Sequence, residues 1–440
     1  MRDLCASCGT LRAHPADTEM RAVEAGRMVA LPGQPSTAPF ARSSSVPPTP
    51  APADAIARHE RYLAVDPANP LLLRALGDLY HQAGDFAKAL ETYEKCLALD
   101  PADSAAQSRI AGVCISQHRF ADAESALRAI IARDGPDPVL FHNLGVSLYH
   151  QQRWADAAAA LKQAREGGLR EADNLRYLSY ALHYLGDTAH ALEVCDAWLK
   201  LAPSSATAGY RALLQMDDGD VAAAVHSAQQ VVADEPDNPN ANLVLGMWET
   251  ERLEIEAAAP RFLRLTQAEP ENPRAWLGLA LVQLYGQQHE AAIASFHKAL
   301  EFMPDNVGTI VALGWAQFAH NQIPAAEKTF RRAIEIERNF GESHGGLAVT
   351  LVWQNRREEA RREIALAKRL DPKGFGLVYA RSVLLALEGK RDQGERLLAQ
   401  NLERSVRPDG RTLMDGIRVF LRRGPVRPPA MPARRLPVRR

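Results

Sequence analysis

A period of 34 residues constrains this chain more than any other feature of its sequence. Proline often marks the place where a chain leaves a helix, and Pro236, Pro270 and Pro304 recur at that spacing. A fixed period of this length is typical of repeat arrays, in which each repeat buries its apolar face against its neighbours. The period therefore predicts one array of repeats over most of the 440 residues.

Residues 273–304 show what one repeat contains. Large and small apolar residues follow helical spacing twice, on either side of a turn at Gly286. The first helix carries Trp276, Leu279 and Ala280, and the second helix carries Ala292, Phe296 and Ala299. This pattern predicts a pair of helices in which Trp276 fills the space that Ala280 and Ala292 leave open.

The same slots recur in other copies, and together they resemble the tetratricopeptide repeat family. Three close copies are residues 70–101 with Leu76, Gly77, Tyr80, Ala89, Tyr93 and Pro101, residues 239–270 with Leu245, Gly246, Ala258 and Phe262, and residues 307–338 with Leu313, Gly314, Ala326 and Phe330. The resemblance implies an all-α fold, a right-handed α-solenoid of about nine 34-residue helix–turn–helix repeats with end caps, like the arrays of bacterial members. It also implies a scaffold or adaptor that binds partner proteins.

The two ends of the chain differ from the repeats in composition. The Pro/Ser-rich stretch that ends in PPTPAPAD cannot build a core and predicts a disordered tail and linker. No apolar run before it is long enough for a signal peptide or a membrane helix, so we expect a cytoplasmic protein. Translation could begin at Met1 or at Met28. The expected organisation is a disordered tail and linker over 1–53, an N-terminal capping helix over 54–67, the solenoid over 68–403, a C-terminal capping helix over 404–423 and a disordered Arg/Pro-rich tail over 424–440.

Residues 411–423 have an amphipathic helical pattern, although Gly416 weakens it. The apolar positions are Leu413, Ile417, Phe420 and Leu421. Two interpretations compete: a lid that covers the last repeat, and an inhibitory helix that folds back into the groove of the array. We favour the lid, because terminal repeats in such arrays generally need a polar outer surface.

The formal net charge of −1 conceals an uneven distribution. Residues 404–440 contain eleven arginines against Asp409 and Asp415, so the rest of the chain is acidic. A basic tail suggests an alternative function, an adaptor to an anionic partner such as a nucleic acid or a membrane surface. The acidic body argues against extensive nucleic-acid contact, because phosphate binding needs a basic face rather than a basic end.

No arrangement of residues indicates catalysis, a cofactor or a metal. Cys5 and Cys8 have the spacing of half a zinc site but lack two further ligands at matching spacing. Cys96, Cys114 and Cys195 occupy apolar slots of the repeats and are interpreted as small buried hydrophobic residues. We therefore expect no cofactor and no enzymatic activity. A remaining alternative, an accessory fragment of a multi-domain enzyme, would need a large non-repeat region.

The face of each first helix that the repeat core leaves free determines the predicted binding site. Positions two, five, nine and twelve of a repeat share this face, and we call it the first-helix stripe. In the tetratricopeptide repeat family it lines the concave groove that holds partner segments. The predicted partner-binding residues are polar and aromatic in the early repeats (Arg74, His81, His142, Tyr149, Arg176, Tyr180 and His183) and apolar in the late ones (Met247, Leu281, Leu284, Trp315, Phe318 and Val352).

Two interpretations of the apolar part of the stripe stay open. Neighbouring first helices could absorb these side chains, or the surface could bind an apolar partner segment or a second copy of the chain. We expect Trp315 and Phe318 to be exposed for binding, because contiguous aromatic surface usually marks a contact. The two-carboxylate clamp of chaperone-binding family members is matched only by Arg109.

Overall fold

The computed structural model describes residues 52–402, and every regular element in that range is an α-helix. The helices are α1 (Pro52–Val65), α2 (Pro70–Gln82), α3 (Phe86–Leu99), α4 (Ser104–Ser116), α5 (Phe120–Asp134), α6 (Pro138–His150), α7 (Trp154–Glu166), α8 (Ala172–Tyr184), α9 (Thr188–Leu201), α10 (Ser205–Asp218), α11 (Val221–Asp234), α12 (Pro239–Glu251), α13 (Ile255–Ala268), α14 (Pro273–Tyr285), α15 (His289–Phe302), α16 (Val307–Ala319), α17 (Ile323–Ile336), α18 (Gly341–Trp353), α19 (Arg357–Leu370), α20 (Phe375–Leu387) and α21 (Arg391–Leu402).

These helices form two compact units that divide between Leu214 and Gln215, within α10. We call residues 52–214 the first unit and residues 215–402 the second unit. Helices pack in consecutive pairs, α2 to α9 in the first unit and α12 to α21 in the second, each pair a first helix followed by a second helix. The predicted helical repeat solenoid is therefore confirmed.

Several predictions fall outside the described residues. They are the N-terminal tail, the Cys5–Cys8 pair, the capping helix over 404–423 and the Arg/Pro-rich tail. At the other end of the array, helix α1 occupies most of the segment expected to cap it. Between residues 52 and 402, no helix is both long enough and apolar enough to cross a membrane.

Short polar side chains cap the starts of several first helices, among them α2, α6 and α14. Asn69, Asp137 and Asn272 each accept hydrogen bonds from two backbone N–H groups, those two and three residues ahead, at 2.8–3.2 Å. The residue after each of them is proline, whose missing N–H costs nothing at the first helical position. Local sequence thus sets where these helices begin.

The turn between the two helices of a pair has the same geometry throughout the described residues. One turn residue has a positive φ at each of ten positions about one period apart: Gly84, His118, Gln152, Gly186, Gly219, Leu253, Gln287, Asn321, Asn355 and Gly389. In the repeat used above to define the pattern, it is Gln287 and not the neighbouring Gly286 that adopts this conformation. The last of these turns, at Gly389, lies between α20 and α21.

In the second unit, phenylalanine side chains of the second helices α13 and α17 join neighbouring repeats. Phe262 is fully buried between Gly246 of its own repeat and Gly278 of the next, where an added methyl group would overlap its ring. Phe330 lies in the same way between Gly314 and Gly346. The wedge between helices therefore comes from the second helix. The prediction that Trp276 fills this space is wrong, because its indole is only partly buried and donates to the carbonyl of Pro270 at 2.7 Å.

Candidate functional site

The first-helix stripe of the first unit begins with polar side chains that bridge adjacent first helices. Arg74 on α2 forms an ion pair with Asp103, which caps α4, at 2.7 Å. The Nε2 atom of His81 lies 2.7 Å from the hydroxyl of Ser116 on α4. Both predicted binding residues therefore already hold neighbouring first helices together.

The carboxylate of Asp78 on α2 contacts two further polar side chains, those of Tyr93 and Arg109. Its Oδ1 atom accepts a hydrogen bond from Tyr93 at 2.7 Å and pairs with Nε of Arg109 at 2.8 Å. Burial, together with the Asp78 carboxylate, raises the pKa of Tyr93 well above its ordinary value, so the phenol remains a donor. The charge of Arg109, the one residue that matched the chaperone clamp, is balanced by this carboxylate.

An aromatic cluster fills the space between α6 and α8. Tyr149 lies at its centre with only 3% of its surface exposed. The rings within 6.3 Å of Tyr149 belong to His150, Trp154, Tyr177, Tyr180 and Tyr184. The prediction that Tyr149 contacts a partner is therefore corrected, because the α8 tyrosines cover it.

His150 and Phe120 extend this cluster and were not anticipated from sequence. Their rings are stacked at a centroid distance of 4.6 Å. Burial lowers the pKa of His150 to about 4, so its imidazole is neutral near neutral pH. Neither residue occupies a stripe position, and no spacing pattern marks it.

Arg176 on α8 lies at the surface of the aromatic cluster. Its guanidinium carbon is 4.8 Å from the ring centroid of Tyr177, and Nη2 pairs with Asp173 at 2.5 Å. Its Nε is buried and has no hydrogen-bond acceptor among the described residues. An unsatisfied buried donor is costly.

Three further predicted residues lie on α6 and α8 and are partly exposed. His142 on α6 lies 3.2 Å from the side-chain oxygen of Asn174, and His183 lies 3.2 Å from the hydroxyl of Tyr210. The ring of Tyr180 packs edge-on against Tyr210 at 4.8 Å. These contacts set the directions of the side chains and leave part of each one accessible.

The apolar stripe of the second unit is buried. Trp315 and Phe318 on α16 are 4% and 6% exposed. The ring centroids of Trp315 and Phe375 are 5.0 Å apart, and those of Phe318 and Tyr379 are 6.3 Å apart. Phe375 and Tyr379 both lie on α20. The prediction that these two residues are exposed for binding is therefore wrong. Leu284 and Val352 are also buried. Of the other predicted residues of this stripe, Met247 and Leu281 are partly exposed.

Close approach of neighbouring first helices is the physical reason for this burial. A methyl group on Gly345 of α18 would lie 2.7 Å from the backbone nitrogen of Leu377 on α20. Helices at such a distance bring their stripe side chains together and exclude a partner segment. The interpretation in which neighbouring first helices absorb the apolar side chains describes this unit.

Two polar side chains on α18 lie inside this apolar region. The carboxylate of Glu342 accepts hydrogen bonds from the indole N–H of Trp315 at 3.2 Å and from the backbone N–H of Gly376 at 3.0 Å. Burial raises the pKa of Glu342 above its usual value. His344 contacts Glu363 on α19 through Nδ1 at 2.7 Å and the carbonyl of Arg338 through Nε2 at 2.9 Å.

The stability of the second unit should fall as pH rises through the pKa of His344. The hydrogen bond to Glu363 raises this pKa, although burial opposes the shift. A raised pKa means that the imidazolium stabilises the fold fully below the unfolded value of about 6.5, and that this contribution is lost above the folded value. We expect His344→Gln to lower the melting temperature more at about pH 5.5 than at about pH 8.5.

Thermal melting followed by circular dichroism would measure this difference. His297→Gln, which changes an exposed histidine on α15, is the matched control. Equal losses for His344→Gln at both pH values would show that His344 is not charged in the fold.

In the described part of the chain, no group of three or more His, Cys, Asp or Glu side chains is arranged to hold a metal ion. Cys96, Cys114 and Cys195 are buried and not paired in disulfides.

Comparison with known proteins identifies the repeats. One tetratricopeptide repeat model matches residues 81–144 and 283–343, and a second matches residues 52–104, 142–206 and 251–307. No curated protein sequence matches the chain.

Solved structures with a similar fold include two proteins of low identity. The crystal structure of yeast Tom70 is 16% identical, with a TM-score of 0.35, over 84% of this chain and 91% of that chain. The crystal structure of the APC/C hetero-tetramer Cut9–Hcn1 is 14% identical, with a TM-score of 0.45, over 80% of this chain and 84% of that chain.

Because the two repeat models together match more than half of the sequence, the chain belongs to the tetratricopeptide repeat family.

Proposed function

We propose that this protein is a non-catalytic scaffold that holds a partner polypeptide on the first-helix stripe of its first unit. The observation that carries this proposal is the state of Arg176. Its side chain is 29% exposed, yet its buried Nε lacks an acceptor among the described residues. A main-chain carbonyl or a carboxylate of a bound segment would form a charge-assisted hydrogen bond with the exposed part of this guanidinium.

Three partly exposed residues of the same stripe fit the same ligand. His142 and His183 can donate or accept hydrogen bonds, and Tyr180 offers part of an aromatic face. All three lie on first helices, and contacts within the first unit set the directions of their side chains. The arrangement suits an extended segment that pairs its backbone with Arg176 and rests a side chain on the tyrosine.

Affinity purification with the full chain, followed by calorimetry with the partner it identifies, tests this proposal. We expect Arg176→Gln to weaken partner binding by about tenfold or more, because a hydrogen bond to a charged group contributes about 1.5–3 kcal/mol. Arg128→Gln is the matched control, since Arg128 is an exposed arginine on the second helix α5. Circular dichroism spectra of both variants should equal that of the wild type.

Two results would contradict the proposal. Equal affinity of Arg176→Gln and Arg128→Gln would remove Arg176 from the binding surface. Loss of binding on deletion of residues 404–440, with no effect of Arg176→Gln, would instead favour an adaptor that binds an anionic partner through its arginine-rich tail.

A further inference from the structure

Two histidine rings lie against each other in the second unit, away from the site described above. His289 is the first residue of α15, and His320 directly follows the last residue of α16. The centroids of the two imidazoles are 6.3 Å apart, and the rings are tilted by 49°. His289 is partly buried, whereas His320 is exposed. A small ligand in solution can therefore reach the pair from the side of His320.

The polar atoms of this pair are not used by the fold. Within residues 52–402, neither imidazole makes a hydrogen bond or an ion pair, and Nδ1 of His289 is buried without a partner. Other histidines differ in this respect. Ring nitrogens of His81, His142 and His344 lie 2.7 Å, 3.2 Å and 2.7 Å from side-chain oxygens. The contact between the two rings is therefore not part of a hydrogen-bond network among the described residues.

The equivalent positions of the next repeat form a network of hydrogen bonds and charges instead. Gln354, one period after His320, donates to the carboxylate of Glu327 at 2.7 Å. Arg356 pairs with the same carboxylate at 2.8 Å. The residue one period before Glu327 is Ile293, which has no acceptor in its side chain. At the earlier junction, His320 therefore contacts a second histidine where the next repeat has a carboxylate with two partners.

Two neighbouring imidazoles can chelate a divalent transition metal ion. Burial, and then the nearby His320, lower the pKa of His289, so its ring is neutral and has a free lone pair near neutral pH. Imidazole nitrogen suits Zn²⁺, Ni²⁺ and Cu²⁺ as a ligand. An ion about 2.1 Å from one nitrogen of each ring would hold the centroids about 5–6 Å apart. The exposed ring of His320 would need to move by only about 1 Å to reach this separation.

We propose that His289 and His320 form a two-histidine site for a divalent transition metal ion such as Zn²⁺, with water in its other coordination positions. The surroundings favour a cation, because residues 286–322 contain Glu290, Glu301 and Asp305 against a single lysine and no arginine. The bound ion would join the start of α15 to the end of α16, and so link two neighbouring repeats.

Isothermal titration calorimetry of the full chain with ZnCl₂ tests this site. Every protein in the series carries Cys5→Ser and Cys8→Ser, which removes two further candidate ligands. We expect His289→Gln and His320→Gln each to weaken zinc binding by about tenfold or more, since even the residues that support a metal ligand contribute about 10–100-fold. His297→Gln, which changes an exposed histidine on α15, is the matched control and should bind zinc with unchanged affinity.

Hydrogen exchange measured by mass spectrometry locates the bound ion. At a free zinc concentration of about ten times Kd, local opening that breaks the site should become about tenfold rarer. We therefore expect exchange in residues 286–292 and 317–322 to slow by about tenfold, and exchange in residues 375–402 to stay unchanged. This protection should be lost in His320→Gln, whose circular dichroism spectrum should equal that of the control.

Three outcomes would overturn the proposal. A titration with no zinc binding would exclude the site. Equal zinc affinity of His320→Gln and His297→Gln would assign the ion to other groups. Protection that appears only together with dimerisation, measured by analytical ultracentrifugation, would place the ion between histidines of two copies. Because none of these measurements involves Arg176, each outcome leaves the proposed function standing.

Discussion

Replacing Arg274 by methionine is expected to destabilise the second unit by about 3–5 kcal/mol. Arg274 on α14 forms two parallel hydrogen bonds to Asp217 on α10, Nη1 to Oδ2 at 2.8 Å and Nη2 to Oδ1 at 2.7 Å. The side chains are 10% and 6% exposed, so both charges are nearly removed from water. Methionine fills a similar volume but leaves the Asp217 carboxylate buried without its arginine, which is the source of the cost.

Urea unfolding followed by circular dichroism would measure this loss, with two variants as controls. Lys298→Met removes one partner of an exposed pair with Glu301 at 3.1 Å and should cost about 0–1 kcal/mol. Arg274→Met combined with Asp217→Leu removes both buried charges and should recover much of the stability. If the single variant Arg274→Met were no less stable than Lys298→Met, the buried pair would not hold residues 215–218 against α14 within the second unit.

The fold could be predicted from the sequence because its determinants are local and periodic. Prolines at helix starts act within one repeat. It was harder to predict from the sequence which aromatic side chain of a repeat is fully buried. Trp276 and Phe296 both have helical spacing, but only Phe296 is fully buried. Spacing identifies the face of a helix, whereas depth depends on how closely repeats stack.

The candidate site was predicted only in part for the same reason. Arg176, Tyr180 and His183, which the stripe rule selected, lie on partly exposed helix faces, and their role in binding stays a prediction. It could not show that Tyr149 is covered by α8, since this depends on rings contributed from another repeat. Nor could it show that the Nε of Arg176 is left without an acceptor, which is a property of the assembled surface.

Replacing Trp315 by alanine should cost about 3–5 kcal/mol, because the indole is a buried part of the core of the second unit. Its ring lies 5.8 Å from Phe318, 5.4 Å from Phe330 and 5.0 Å from Phe375. The variant would leave a cavity among these rings and would also remove the N–H that donates to the buried carboxylate of Glu342. The two losses act at the same place, so α16, α18 and α20 should open together.

Trp276→Ala is the matched control, since it truncates the same side chain at a partly buried position on α14. It should cost about 1–2 kcal/mol, because less apolar surface is removed from the core. Hydrogen exchange adds the location of the damage: we expect faster exchange in residues 307–387 for Trp315→Ala, and a weaker effect limited to α14 and its neighbours for Trp276→Ala. A Trp315→Ala protein with unchanged stability and exchange but impaired partner capture would restore the apolar groove as a binding surface. Burial on three helices predicts the opposite, because a side chain that the fold already encloses has no surface left to offer a partner.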